Sequence, residues 1–229
     1  MALLIFAVLS LLVAGELQAG VVVGGTRFIF PADRESISIL LTNTSQESWL
    51  INSKITRPPR WAGGEASTVP APLLAAPPLI LLKPGTTGTL RLLRTESDIL
   101  PVDRETLFEL SIASVPSGKV ENQSVKVAMR SVFKLFWRPE GLPGDPLEAY
   151  QQLRWTRNSQ GVQLTNPTPY YINLIQVSVN GKALSNVGVV PPKSQRQTSW
   201  CQAIAPCHVA WRAINDYGGL SAKKEQNLP

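Results

Sequence analysis

The chain of 229 residues holds a single histidine, His208, and only two cysteines, Cys201 and Cys207. That scarcity closes off much chemistry. A zinc site asks for more ligands than this trio supplies. The cysteine spacing is too wide for a C-x-x-C redox motif. No G-x-S-x-G elbow, no H-E-x-x-H and no glycine-rich phosphate loop occurs. His208 directly follows Cys207 and reads as a structural or surface residue rather than a general base. Asp and Glu are present, but no acid and base pair can be picked out by spacing. The sequence therefore offers no enzyme, no cofactor and no metal. Amphipathic helical stretches are also missing. Charged residues make up only 17% against 44% hydrophobic, so disorder is excluded and a sizeable core is affordable.

What the chain has is strand after strand. Ile37, Ile39 and Leu41 alternate with Ser36, Ser38 and Thr42, the period-2 signature of a half-buried strand. Trp49, Ile51 and Ile55 resume it after the polar turn Asn43 to Glu47, and Phe108, Leu110 and Ile112 form another inward row. Lys83-Pro84-Gly85 and Asn180-Gly181 mark turns, the second a two-residue hairpin. Gly20 to Phe30 reads as an ordinary first strand, and Arg57 to Pro78 as a long irregular connection with room for one edge strand. The run Arg138-Pro139-Glu140-Gly141-Leu142-Pro143-Gly144-Asp145-Pro146 cannot continue a central strand. It divides the chain into residues 20–138 and 139–229, two successive β-sandwiches of immunoglobulin type and an all-β fold.

Residues 1–19 stand apart. Leu3 to Val13 is almost unbroken apolar sequence, and Ala19 offers a small residue for cleavage, so the segment reads as a secretory signal peptide. No Lys or Arg precedes the run. A membrane anchor is the competing reading, weakened by the short run and by Glu16. Cleavage would remove Glu16 and no basic residue, raising the net charge from +6 to +7. The excess serves solubility or an acidic partner. Nucleic acid is a poor candidate, because the basic residues are not massed together. In an exported chain Cys201 and Cys207 read as a short-loop disulfide, with two free thiols as the alternative.

The segment Val125 to Arg138 is the most unusual. Val125, Val127, Met129, Phe133, Leu135 and Trp137 are apolar at alternate positions, a row longer than a typical strand needs. It is either one long core strand, or a strand whose first half lies on an edge and shows its apolar row to a partner. Arg27 and Lys134 stand among apolar neighbours. Either each points to solvent, or the two converge on a carboxylate.

Six strings, in order, resemble the periplasmic chaperones of the chaperone–usher pilus pathway, the PapD-like family. They are Gly25-Thr26-Arg27-Phe28-Ile29-Phe30, Pro77-Pro78 with Lys83-Pro84-Gly85, and Leu100-Pro101-Val102-Asp103-Arg104-Glu105. Then follow Lys134-Leu135-Phe136-Trp137-Arg138-Pro139, Asn166-Pro167-Thr168-Pro169-Tyr170-Tyr171 and Ile214-Asn215-Asp216-Tyr217-Gly218-Gly219. The resemblance implies two immunoglobulin-like domains set at an angle with a cleft between them. It implies a periplasmic protein that completes pilus subunits with its own edge strand, here Val125, Val127 and Met129, and passes them to an outer-membrane usher. It implies that Arg27 and Lys134 hold the subunit's C-terminal carboxylate, and that Glu105, Arg138 and Asp216 form an ion-pair network between the domains. The short stretch Val115 to Ser124 resembles the short-loop chaperones, which serve rod-like, adhesin-tipped pili. The same open edge could pair weakly with a second copy of the chain. The other functional class is a secreted pilin or adhesin, which would be a single domain with an alternating N-terminal extension.

Overall fold

The computed structural model describes residues 20–57, 71–95, 100–118, 126–185, 187–202 and 206–229. The signal peptide read at residues 1–19, and Val125 of the expected donor row, lie outside them. Among the described residues the structure is β throughout apart from one 3-10 turn, Ala149–Gln152.

The first sandwich comprises β1 (Val21–Val23), β2 (Arg27–Pro31), β3 (Ser36–Asn43), β4 (Ser48–Thr56), β5 (Leu73–Ala76), β6 (Leu79–Leu82), β7 (Thr87–Arg94), β8 (Thr106–Ser117) and β9 (Met129–Arg138). One sheet has the order β1-β3-β7-β5 and the other β2-β9-β8-β4-β6. Alternation decides which side chains turn inward: Ile39 and Leu41 on β3, Leu90 and Leu92 on β7, and Phe108, Leu110 and Ile112 on β8 share one core with Leu135 and Trp137. β5 is the edge strand for which the irregular connection left room.

The second sandwich comprises β10 (Arg154–Asn158), β11 (Gly161–Asn166), β12 (Ile172–Val179), β13 (Lys182–Ala183), β14 (Val189–Val190), β15 (Ser194–Thr198), β16 (Cys207–Ile214) and β17 (Lys224–Leu228). Its sheets run β10-β11-β15 and β13-β12-β16-β17, with β14 on β12. Asn180 and Gly181 both take positive φ and close the β12–β13 hairpin. Trp155 packs against Trp200 and Trp211, with ring centroids 6.0 and 5.2 Å away. Cys201 and Cys207 are joined by a disulfide and buried in this second core.

The first strand departs from the sequence reading. It is not continuous from Gly20 to Phe30. β1 pairs with β3 in one sheet, and β2 pairs in parallel with β9 in the other. The switch falls at Gly24-Gly25, where Gly25 N donates back to Val23 O at 2.8 Å. A Cβ on Gly25 would stand 3.0 Å from the Phe28 ring, so the turn is built for glycine.

Both sandwiches share a device that periodicity does not reveal. Asn43 ends β3 and Asn166 ends β11, each wholly buried. Asn166 Nδ2 donates to the carbonyls of Tyr170, Val190 and Pro191, while its Oδ1 accepts from Thr168 N and Oγ1. Asn43 repeats the pattern on Glu47 and Leu82 carbonyls and on Ser45 N and Oγ. Each amide thus pins a loop across its sandwich and satisfies backbone carbonyls there. Asn166→Asp, which turns a carboxylate against three carbonyl oxygens, should cost more than Asn166→Ala. The alanine variant should lose about 3 kcal/mol in urea unfolding, the cost of several orphaned buried groups.

Candidate functional site

The site is built around β9. β9 pairs with β8 from Met129↔Ser114 to Trp137↔Thr106. On its other side β2 covers it only from Lys134 to Arg138. Among the described residues, Met129 to Phe133 therefore keep one edge unpaired. The apolar row divides at the same place. Phe133, Leu135 and Trp137 turn into the first core, whereas Met129 is 46% and Val127 64% exposed. Regular strand begins at Met129, and Lys126 to Ala128 precede it without ladder partners. Lys126 there is held only by a 2.8 Å bond from Nζ to Gly118 O. Of the described residues in this row, Val127 and Met129 are exposed, while Phe133, Leu135 and Trp137 pack in the first core.

Where β2 begins to cover β9, two cations meet. Arg27 and Lys134 are direct partners on the parallel ladder and share a face. Both are half-buried. Burial lowers the pKa of Arg27, an effect that Asp216 partly offsets. Burial and then the neighbouring Arg27 charge lower that of Lys134, opposed by Glu109. Arg27 Nη1 donates to Ile214 O at 3.2 Å, while its Nε is buried without a partner. Glu109 is the ladder partner of Lys134 on β8. Glu109 answers Lys134, and Asp216, which acts on Arg27, is already hydrogen-bonded to Arg138, so the pair retains positive charge suited to an anion. Sequence reasoning missed Glu109. Its alternation with Phe108 and Leu110, which sets it on the face of Lys134, was the signal available.

The same face meets the second sandwich. Phe136, beside Ile29 and Leu107, packs on Tyr171 with ring centroids 5.7 Å apart. Arg138 joins Glu105 and Asp216: Nε donates to Glu105 Oε1 at 2.7 Å, and Nη1 and Nη2 donate to the Asp216 oxygens at 2.7 and 3.0 Å. Burial works against the Arg138 charge, but the hydrogen bonds to Asp216 and the charge of Glu105 outweigh it and raise its pKa. Burial pushes the Glu105 carboxyl up, although Arg138 and the Tyr171 N–H draw it back. Glu105 Oε2 accepts that N–H at 2.7 Å, and Glu105 N donates to Pro169 O at 2.9 Å. Two contacts were not foreseen. Lys193 of the second sandwich pairs with Asp103 at 2.6 Å. A Cβ on Gly218 would fall 2.6 Å from Thr26 Oγ1, so the two units touch where glycine alone fits.

Known proteins bear out the family resemblance. Residues 20–143 match the family described as pili and flagellar-assembly chaperone, PapD N-terminal domain. Residues 148–225 match the pili assembly chaperone PapD C-terminal domain. The chain is 99% identical, over its full length and 97% of the relative's, to the uncharacterized fimbrial chaperone YcbF of Escherichia coli strain K12. It is 32% identical to the chaperone protein FimC of the same strain, over 94% of this chain and 87% of FimC. Its fold superposes with a TM-score of 0.74 and 30% identity on the crystal structure of the YadV chaperone, covering 92% of this chain and all of that one. A complex of the Salmonella enterica SafA pilin with the SafB chaperone gives a TM-score of 0.78 at 29% identity, covering 93% of this chain and 99% of the matched one. Matches of both family domains, in order and over nearly the whole described length, make this chain a member of the PapD-like family of pilus-assembly chaperones.

Proposed function

We propose that the protein works in the periplasm, where it captures pilus subunits by lending them the open edge of β9 and hands them to an outer-membrane usher. The observation that carries this reading is the unpaired edge from Met129 to Phe133 with Val127 and Met129 exposed beside it. An exposed apolar edge is normally blocked, and strand addition is the function that needs it open. In this reading the donor row is Val125, Val127 and Met129, and Arg27 with Lys134 anchors the subunit's C-terminal carboxylate. The protein acts by binding and not as an enzyme. The SafA–SafB complex, a pilin held by a chaperone of like fold, supports the choice of partner. We place the domain boundary after Arg138, where β9 ends, and a signal peptide over residues 1–19.

Val127→Glu and Met129→Glu test the donor role. Each apolar side chain enclosed by the subunit contributes about 1.5–3 kcal/mol, so co-purification of pilin with either variant should collapse. Because both residues are exposed, the melting temperature of the free protein should hardly move. A variant that unfolds on its own, or one that still captures pilin, would sink the proposal.

Lys134→Ala tests the anchor. Loss of one charge-assisted bond should weaken subunit binding about ten- to hundred-fold, with little change in folding. Equal affinity in a folded variant would remove Lys134 from the site.

We also propose that Glu105, Arg138 and Asp216 fix the relation between the two sandwiches. Arg138→Met would strand Glu105 without its cation and cost about 3 kcal/mol. The pH dependence has a defined sign. Burial already raises the Glu105 pKa, and losing Arg138 raises it further. A carboxyl whose folded pKa exceeds its unfolded one contributes stability below the unfolded value and loses it as pH rises through the folded value. The melting temperature of Arg138→Met should therefore climb on acidification from neutral pH, relative to wild type. A parallel pH profile for the two proteins would refute the assignment.

A further inference from the structure

Far along the chain from β9, the second sandwich carries a cation with an idle hydrogen-bonding side. Arg196 stands on β15, the edge strand of the three-stranded sheet, opposite Leu164 on β11. Ladder partners share a face, and Leu164 is wholly buried. Arg196 is thereby sent inward between the sheets, while Gln195 and Gln197 on either side of it are exposed. Its Nη1 donates to Val187 O at 2.7 Å. Its Nε and Nη2 are buried and have no hydrogen-bond partner. Burial lowers the Arg196 pKa, and no nearby charge opposes it. A buried guanidinium with two unmet donors is costly, and such groups call for a physical explanation.

The idle pair is the side of a guanidinium that takes both oxygens of a carboxylate in parallel bonds. The protein uses that side at another position: Arg104 Nε and Nη2 donate to Asp103 Oδ1 and Oδ2, each at 3.0 Å. Arg196 also adjoins an open slot between β13 and β15, lined by Lys182, Leu184, Ser185, Val187 and Trp200. Lys182 adds a second positive charge, and no Asp or Glu among the described residues lines the slot. Its lining shares no residue with the Arg27–Lys134 pair.

We propose that this slot is a carboxylate-binding site, in which the Nε–Nη2 side of Arg196 takes both carboxylate oxygens and Lys182 supplies added positive potential. The two nitrogens are buried, so a ligand in the slot reaches them only if side chains around Arg196 shift; Leu184 and Trp200, both partly buried, line the same slot. The carboxylate can arrive on a small free anion or at the C-terminus of a peptide.

The test uses the full mature chain labelled with nitrogen-15. The arginine Nε–H signal that is absent from the Arg196→Met spectrum identifies Arg196. One arm titrates sodium formate against sodium chloride at equal ionic strength. The other titrates acetyl-dialanine with a free C-terminus against its amide. We expect a saturable shift of the Arg196 signal with formate and none with chloride. Binding should fall about ten-fold in Arg196→Lys, which keeps the charge but not the paired donors, and further in Arg196→Met. Lys134→Ala should leave it unchanged, which separates this site from the cleft. Binding by the free-acid peptide and not the amide assigns the source to a chain terminus, and binding by formate alone assigns it to a small anion. The proposal is overturned if neither probe gives a saturable shift, if chloride shifts the signal equally, or if Arg196→Lys binds as wild type does.

Discussion

A strand inside a sheet has two rows of hydrogen-bonding groups to satisfy. β9 satisfies one with β8 and the other only where β2 runs beside it. The rest of the site follows from where that second partner stops. Before Lys134 the chain keeps a free edge with apolar side chains in the open. From Lys134 onward it is an interior strand whose alternate residues enter the first core. The two cations stand at the changeover, because Arg27 is where β2 begins. The free edge leads directly to Arg27 and Lys134, so the proposed strand pairing and the proposed charge recognition share one line of backbone.

An open edge is useful only if the face beside it is held at a fixed relation to the second sandwich. Arg138 bridges the two sandwiches with few atoms. It bonds to Glu105 of its own sandwich and to Asp216 of the other, and its guanidinium lies 5.4 Å from the Tyr170 ring centroid. A largely buried ion pair adds little net stability, since desolvation consumes most of the attraction. Its value is geometric. The hydrogen bonds demand one orientation, and the close approach of Gly218 to Thr26 makes the neighbouring arrangement equally exact. The joint thus combines directional polar contacts with the apolar packing of Phe136 on Tyr171.

Much of this was legible in the sequence because strands write their burial at period two. The inward rows of β3, β4 and β8 were each readable residue by residue, and so were the Asn180-Gly181 hairpin and the proline-rich break after Arg138. Three things were not. Periodicity cannot show that a continuous-looking strand changes sheets at Gly24-Gly25, since both halves alternate alike. It cannot place Glu109 against Lys134, which depends on ladder register between distant segments. Nor can it find Asn43 and Asn166, because a buried amide surrounded by turn residues looks like any exposed loop. Their matching roles show that the two sandwiches solve the same loop-anchoring problem with one side chain each.

The pairing of β2 with β9 also sets an order of events in folding. Arg27 and Lys134 lie 107 positions apart in sequence yet are ladder neighbours. Contacts of such separation close late, after the local hairpins between them have formed. β2 precedes β9 by most of the first sandwich, so their pairing has to wait until β9 has been made. The paired cations therefore exist only in a completed first domain. Until β2 has docked on β9, the charged pair at the end of that edge is unassembled.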